Sequence, residues 1–181
     1  SLDIAFGGQG APIVPIGEKL LLGDYDYFLN IGGIANIAGS AKPPVGRWGF
    51  DVCAANRVLN MLAADAGQEY DNEGQMAATG IVDNALLEKL NGLDYYKQPS
   101  PKSLANDFGT DTVYPVIKAT KRSIRDALRT YTEHIAIQIK NAISTVGNVQ
   151  PYPASGETNL SKGVVPHKLL CTGGGAFNTF L

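Results

Sequence analysis

The sequence predicts an α/β fold in which a mixed sheet packs against helices. Three observations predict it. Aromatic and β-branched runs come first, at 25–31, 34–38 and 47–52. Helical periodicity then dominates residues 54–146. Last, a strand-like run, Lys168-Leu-Leu-Cys-Thr172, leads into a segment with helical character.

Each element has its own signal. Residues 3–6 read as the end of a strand, and a short helix is expected over 15–22, after Pro12. Tyr25-Asp-Tyr-Phe-Leu-Asn-Ile31 has strand composition, Gly32-Gly33 makes a turn, and Ile34-Ala-Asn-Ile-Ala38 returns as the second arm of a hairpin. Arg47-Trp-Gly-Phe-Asp-Val52 is the third strand. A helix over 54–66 puts Val58, Leu59, Leu62, Ala63 and Ala66 on one face, with Gly67 as its C-cap. Short helices are expected over 72–79 and 83–91, and a loop around Pro99-Ser-Pro-Lys-Ser103.

The strongest helix spans 123–146. Ser123 and Asp126 form a capping box, and Ile124, Leu128, Tyr131, Ile135, Ile139 and Ile143 recur at helical spacing. It reads as a core helix without chemistry. Residues 147–166, rich in Gly, Pro, Ser and Asn, read as a long surface loop, and 176–181 as the first turns of a final helix.

Length and composition describe one sizeable domain: 181 residues, 44% apolar and 18% charged. A net charge of -2 without a basic cluster argues against nucleic acid as a partner. No apolar run has membrane-span length. Cys53 and Cys171 lack metal-ligand spacing and disulfide density, so a reducing cytoplasm is expected. His134 and His167 are isolated, which argues against a structural zinc site.

Glycine is the compositional outlier, with 21 residues, and the glycines cluster: Gly7-Gly8-Gln9-Gly10, Gly32-Gly33 and Gly173-Gly174-Gly175. Each cluster adjoins a strand-like run. Ordinary tight turns explain any one of them, but three together suggest backbone brought close to a phosphate-bearing ligand. Several common patterns are absent: no G-x-x-x-x-G-K-[ST] loop, no G-x-S-x-G elbow, no H-E-x-x-H and no complete dinucleotide fingerprint. What remains is carboxylates and amides beside glycine turns. Asp3 precedes the first turn, Asn30 and Asn36 flank the second, and Asp51 ends a strand before a helix whose first turn holds Asn56. Helix N-termini and bare N–H groups attract anions; the plainer reading of Asp51 is a simple N-terminal cap or helix-dipole partner.

Taken in order, Asp3–Pro12, Leu29-Asn-Ile-Gly-Gly-Ile-Ala-Asn36, Gly49-Phe-Asp51 with Asn56, Pro101-Lys-Ser103 and Gly173-Gly-Gly-Ala-Phe-Asn178 resemble the motifs of anhydro-N-acetylmuramic acid kinases. The resemblance runs nearly end to end and is weakest over 147–166. It implies an actin/hexokinase-like (ribonuclease H-like) ATPase domain, most of the C-terminal half of a two-domain sugar kinase. The N-terminal domain, with the family's first phosphate loop, and the last helices would lie outside this segment, which alone is expected to be inactive.

The resemblance also implies the chemistry. Water opens the 1,6-anhydro ring of an amino sugar while ATP, with Mg²⁺, phosphorylates O6 in peptidoglycan recycling. Asp3 matches the general base that activates the water. Gly7, Gly8, Gln9, Gly10 and Pro12 match the lining of the sugar pocket. Asn30, Gly32, Gly33, Asn36, Asp51, Asn56, Gly173, Gly174 and Gly175 match the nucleotide site, with Gly32-Gly33 the second phosphate hairpin and the triple glycine near the adenosine. Mg²⁺ would be held mainly by nucleotide phosphates, water and carboxylates, with no particular residue singled out as a metal ligand. A homodimer is expected from the resemblance alone.

Two departures stand out. Val52-Cys-Ala-Ala55 replaces the family's Thr-Gly-Pro-Gly, and Lys102-Ser-Leu-Ala-Asn-Asp107 replaces Lys-Ser-Thr-Gly-Arg-Glu. Lys102 is readable as a substrate or interdomain contact or, the preferred reading, as a solvated loop lysine. Two other readings stay open: another kinase or ATPase of the same fold, and a non-catalytic nucleotide- or glycan-binding module.

Overall fold

The computed structural model describes residues 25–40, 47–147 and 168–181. Strands β1 (Tyr27–Ile31), β2 (Ile34–Ser40) and β3 (Arg47–Ala54) form an antiparallel meander, and β4 (Leu169–Thr172) adds parallel to β1. The strand order is β3-β2-β1-β4, so the sheet is mixed, as expected. The expected strand at 3–6, helix at 15–22 and loop at 147–166 lie outside the described residues, apart from Gly147.

One face of the sheet carries the core. On β1 the side chains of Tyr27, Leu29 and Ile31 are buried while Phe28 and Asn30 are only half-buried, the period-2 alternation of a strand with one packed face. Among the described residues the helices are α1 (Asn56–Ala64), α2 (Gln75–Ala78), α3 (Asn84–Asn91), α4 (Asp94–Lys97), α5 (Tyr114–Lys118) and α6 (Ile124–Gly147). A π-helical turn, Phe108–Val113, leads into α5. The long α6 packs on β3, α1, α2 and α3. Its Leu128, Tyr131 and Ile135 are fully buried, and the Tyr131 hydroxyl donates to the Ala54 carbonyl at 2.8 Å, tying the helix to the end of β3.

Several boundaries differ from the sequence reading for physical reasons. Strand β3 runs to Ala54, two residues beyond the expected end, because Val52, Cys53 and Ala54 are extended and buried. The helix expected over 54–66 therefore starts at Asn56 and ends at Ala64. Ala66 is exposed rather than on its buried face, while Gly67 adopts φ +75° past its end, as a C-capping glycine does. Half of the capping box forms on α6. Ser123 Oγ accepts from the Asp126 N–H at 3.1 Å, but the Asp126 carboxylate turns to the Ile81 N–H at 2.8 Å and so ties α6 to the α2–α3 connection. No α-helix follows the triple glycine up to Leu181. A 3₁₀ turn, Gly174–Phe177, gives way to extended backbone at Asn178, whose Oδ1 accepts from the Phe180 and Leu181 N–H groups.

His134 sits in a buried hydrogen-bonded cluster. Asn91 Oδ1 accepts from its Nδ1 at 2.7 Å and from Gln138 Nε2 at 2.8 Å, and the Tyr96 hydroxyl donates to its Nε2 at 3.0 Å. The ring is fully buried and stacks on Tyr131. Burial pushes its pKa down to about 3. The folded chain thus holds a neutral imidazole, whereas the unfolded chain takes up a proton below about pH 6.5. Stability is lost as pH falls from there towards 3, by about 1.4 kcal/mol per pH unit, or about 2 kcal/mol at pH 5. Urea unfolding of wild type and His134→Gln at pH 7.5 and 5 measures this. The wild type loses about 2 kcal/mol more than the variant, and an equal loss in both contradicts the assignment.

Candidate functional site

The end of β1 organises the site. Gly32-Gly33 turns β1 into β2, and the register places Asn30 opposite Asn36, Asn36 opposite Asp51, and Asn30 opposite Thr172 of β4. A polar row, Thr172–Asn30–Asn36–Asp51, therefore crosses all four strands. Asn30 is on the face of β1 opposite the buried Leu29 and Ile31, and cross-strand partners share a face. The Thr172 hydroxyl reaches Asn30 Oδ1 at 3.4 Å.

Helix α1 docks head-on against the glycine turn. The N–H of Ala55 donates to the Gly33 carbonyl at 2.8 Å, that of Asn56 to the Gly32 carbonyl at 3.0 Å, and that of Arg57 to the Gly33 carbonyl at 3.4 Å. Asn56 Nδ2 adds a bond to the Ile31 carbonyl at 3.1 Å. Small apolar residues make this possible. Val52, Cys53, Ala54 and Ala55 are all buried, so the chain passes from strand to helix against the hairpin without a polar cap. Burial also pushes the Cys53 thiol up to about 12, which makes it inert.

This arrangement corrects two expectations. Asp51 lies inside β3, four residues before the N-cap Ala55, and does not cap the helix. The first N–H groups of α1 are already bonded to hairpin carbonyls, so the bare helix N-terminus that would attract an anion is not present here.

The triple glycine folds across the same strand end. Gly173 adopts φ +83°, and a Cβ there would lie 2.6 Å from both Asn30 Oδ1 and the Ile31 carbonyl oxygen. Gly175 is packed on Ile31, and a Cβ on Gly174 would come within 3.4 Å of Asn56 Nδ2. The structure thus brings Asn30, Gly32, Gly33, Asn56, Gly173, Gly174 and Gly175 to one end of the parallel β1–β4 pair, with Asn36 beside Asn30. Phe177, one turn on, is 79% exposed.

Asp51 shares the polar row but is committed elsewhere. Its Oδ2 accepts from the Leu104 N–H at 2.8 Å and from Ser103 Oγ at 3.3 Å. Its N–H donates to the Lys102 carbonyl at 3.0 Å, and its carbonyl accepts from the Tyr95 hydroxyl at 2.6 Å. Asp51 therefore pins the 102–104 segment along the edge of the sheet. Lys102 is not a freely solvated loop lysine. It is half-buried, its Nζ donates to the Tyr95 carbonyl at 3.1 Å and sits 4.5 Å over the Tyr95 ring, and burial lowers its pKa.

Asp3, Gly7, Gly8, Gln9, Gly10 and Pro12 lie outside the described residues. Three residues at the site were not singled out from the sequence. Thr172 becomes visible only through strand register, Phe177 only through its exposure, and Arg57 only through the docking of α1 on the turn. The one sequence signal was for Arg57, a cation directly after Asn56 in a first helical turn that holds no acid.

Comparison with known proteins agrees with the family resemblance. The family model described as anhydro-N-acetylmuramic acid kinase matches residues 1–181. A protein of that name from Photobacterium profundum is 34% identical over 185 aligned positions, covering 99% of this chain and 46% of its own length. A namesake from Vibrio parahaemolyticus is 33% identical, covering 99% of this chain and 45% of itself. One from Nitrosospira multiformis is 41% identical over 121 positions, 62% of this chain and 31% of itself. The chain spans about half the length of the first two relatives and less of the third.

Proposed function

The chain belongs to the anhydro-N-acetylmuramic acid kinase family, and on that premise we propose that it forms most of the C-terminal domain of a two-domain kinase of the actin/hexokinase type. That enzyme opens 1,6-anhydro-N-acetylmuramic acid with water and phosphorylates O6 from ATP, in cytoplasmic peptidoglycan recycling. The observation that carries the reading is the convergence of the Gly32-Gly33 turn, Asn56 and Gly173–Gly175 at the end of one parallel strand pair. The strand order β3-β2-β1-β4, three antiparallel strands and then a parallel one, supports the fold.

In this reading the glycine turn and the triple glycine cradle the nucleotide. Gly33 and Gly174 are exposed, and a Cβ at either would stand in the space left beside Arg57 and Asn56. Asn30 and Asn36 supply amide groups, Phe177 offers an apolar face to the base, and Asp51 acts as a positioning residue through the 102–104 segment. A Mg²⁺ ion would arrive with the nucleotide, held mainly by its phosphates, by water and by carboxylates. It would supply charge neutralisation on the transferring group.

The proposed reaction balances as one coupled displacement. Asp3 takes a proton from water, the hydroxide oxygen bonds to the anomeric carbon, and the bond from that carbon to O6 breaks. The released O6 bonds to the γ-phosphorus and ADP leaves. The test uses the complete protein with the anhydro-sugar, ATP and Mg²⁺ in ¹⁸O-water. The product expected is the ring-opened 6-phosphate carrying ¹⁸O at the anomeric carbon. Label only in free phosphate, or phosphorylation only of an open-chain acetylated amino sugar, refutes the reading.

A further inference from the structure

We propose that Arg57 is a phosphate-contacting residue of the nucleotide site, its guanidinium supplying the positive charge that the helix N-terminus beside it does not. The inference rests on the nucleotide reading above and assigns a residue that reading does not contain.

The first observation concerns donors. At the junction of the glycine turn and α1, the N–H groups of Ala55, Asn56 and Arg57 all bond to the carbonyls of Gly32 and Gly33, and Asn56 Nδ2 bonds to the Ile31 carbonyl. A polyphosphate arriving here finds those donors occupied. The site residues matched from the sequence are glycines, asparagines and an aspartate, so none of them brings positive charge to a ligand that carries several negative charges.

The second observation is that Arg57 breaks a local rule. A cation in the first turn of a helix opposes the helix dipole, and α1 has no acidic residue there to offset it. Arg57 is exposed and, among the described residues, forms none of the ion pairs. A charge held against local preference without a structural partner is the kind of inconsistency that marks a functional position.

The third is space. The Arg57 stem lies between two glycines: a Cβ on Gly33 would stand 3.8 Å from Arg57 Cβ, and one on Gly109 would stand 3.8 Å from Arg57 Cδ. Neither neighbour projects a side chain, so the guanidinium is free to reach over the turn. Its planar fork suits bidentate bonding to phosphate oxygens.

The experiment is calorimetric titration of the complete protein with MgADP and, separately, with adenosine, for wild type, Arg57→Gln and Arg57→Lys. Wild type that binds neither ligand refutes the nucleotide reading, and the assignment with it. If it binds MgADP, Arg57→Gln is expected to weaken MgADP about tenfold to a hundredfold, the range of lost charge-assisted bonds. Adenosine affinity stays unchanged, the melting temperature does not fall, since the substitution also removes a charge that opposes the helix dipole, and Arg57→Lys has an intermediate MgADP affinity. MgADP affinity unaltered in Arg57→Gln overturns the assignment while leaving the nucleotide reading intact. Equal losses for MgADP and adenosine also overturn it, because they report distortion of the site and not a missing phosphate contact.

Discussion

Asp3→Asn in the complete protein is expected to lower turnover of the anhydro-sugar by about 10²–10⁴-fold, the usual contribution of a positioned general base. The reason lies in the proposed chemistry. Water is a poor nucleophile towards an acetal carbon, and the oxygen it displaces, O6, departs only as it gains the γ-phosphoryl group. A carboxylate that removes the water proton during attack lowers both barriers, whereas an amide of the same shape accepts no proton. Binding of the sugar and of MgADP is expected to persist, and circular dichroism should match wild type. Turnover within a few-fold of wild type removes Asp3 from the role of base.

Gly175→Ala is expected to cost both stability and nucleotide affinity, with Gly33→Ala as its counterpart. Gly175 is buried on Ile31, where a new Cβ would stand 2.8 Å from Ile31 Cβ and 3.1 Å from its carbonyl oxygen, and would collide with Cγ2. Ile31 is itself buried at the end of β1 and carries the carbonyl that Asn56 grips, so it has nowhere to move. The added methyl must push the 3₁₀ turn off the strand, at a cost of about 1–3 kcal/mol, and the cradle opens with it. At Gly33 the nearest atom to a new Cβ is Arg57 Cβ at 3.8 Å, an ordinary contact. Gly33→Ala therefore keeps its urea midpoint and loses nucleotide affinity, while Gly175→Ala loses both. Equal midpoints for Gly175→Ala and wild type contradict the packing; unaltered MgADP affinity in Gly33→Ala contradicts the cradle.

What the sequence made legible, and what it hid, follows from the range of the interactions. The β1–β2 hairpin was legible because aromatic and β-branched runs around Gly32-Gly33 are local signals, and α6 because its apolar spacing persists over six turns. The end of β3 was not. Cys53-Ala-Ala55 has helical propensity, and only docking against the hairpin holds it extended, a tertiary override that includes the register shift at Ala35/Asn36. The helical turns at 94–97 and 108–118 were missed because their own propensity is weak. Gly109 lets the backbone approach Ala54 and Val58 closely, and that packing sustains the turn.

The site divides the same way. Glycines and asparagines announced themselves as motifs. The commitments of Asp51, Lys102 and His134 arise from partners 7 to 53 residues away and had no signature in the chain. The polar row from Thr172 to Asp51 depends on register, since a one-residue slip would turn each strand's members to the opposite face.

The central claim is that the seam between the glycine turn and the triple glycine holds the nucleotide. Amide hydrogen exchange of the complete protein with and without saturating MgADP tests it most directly. The account predicts nucleotide-dependent protection concentrated at residues 31–34 and 173–177. Protection elsewhere with those two segments unchanged would contradict it.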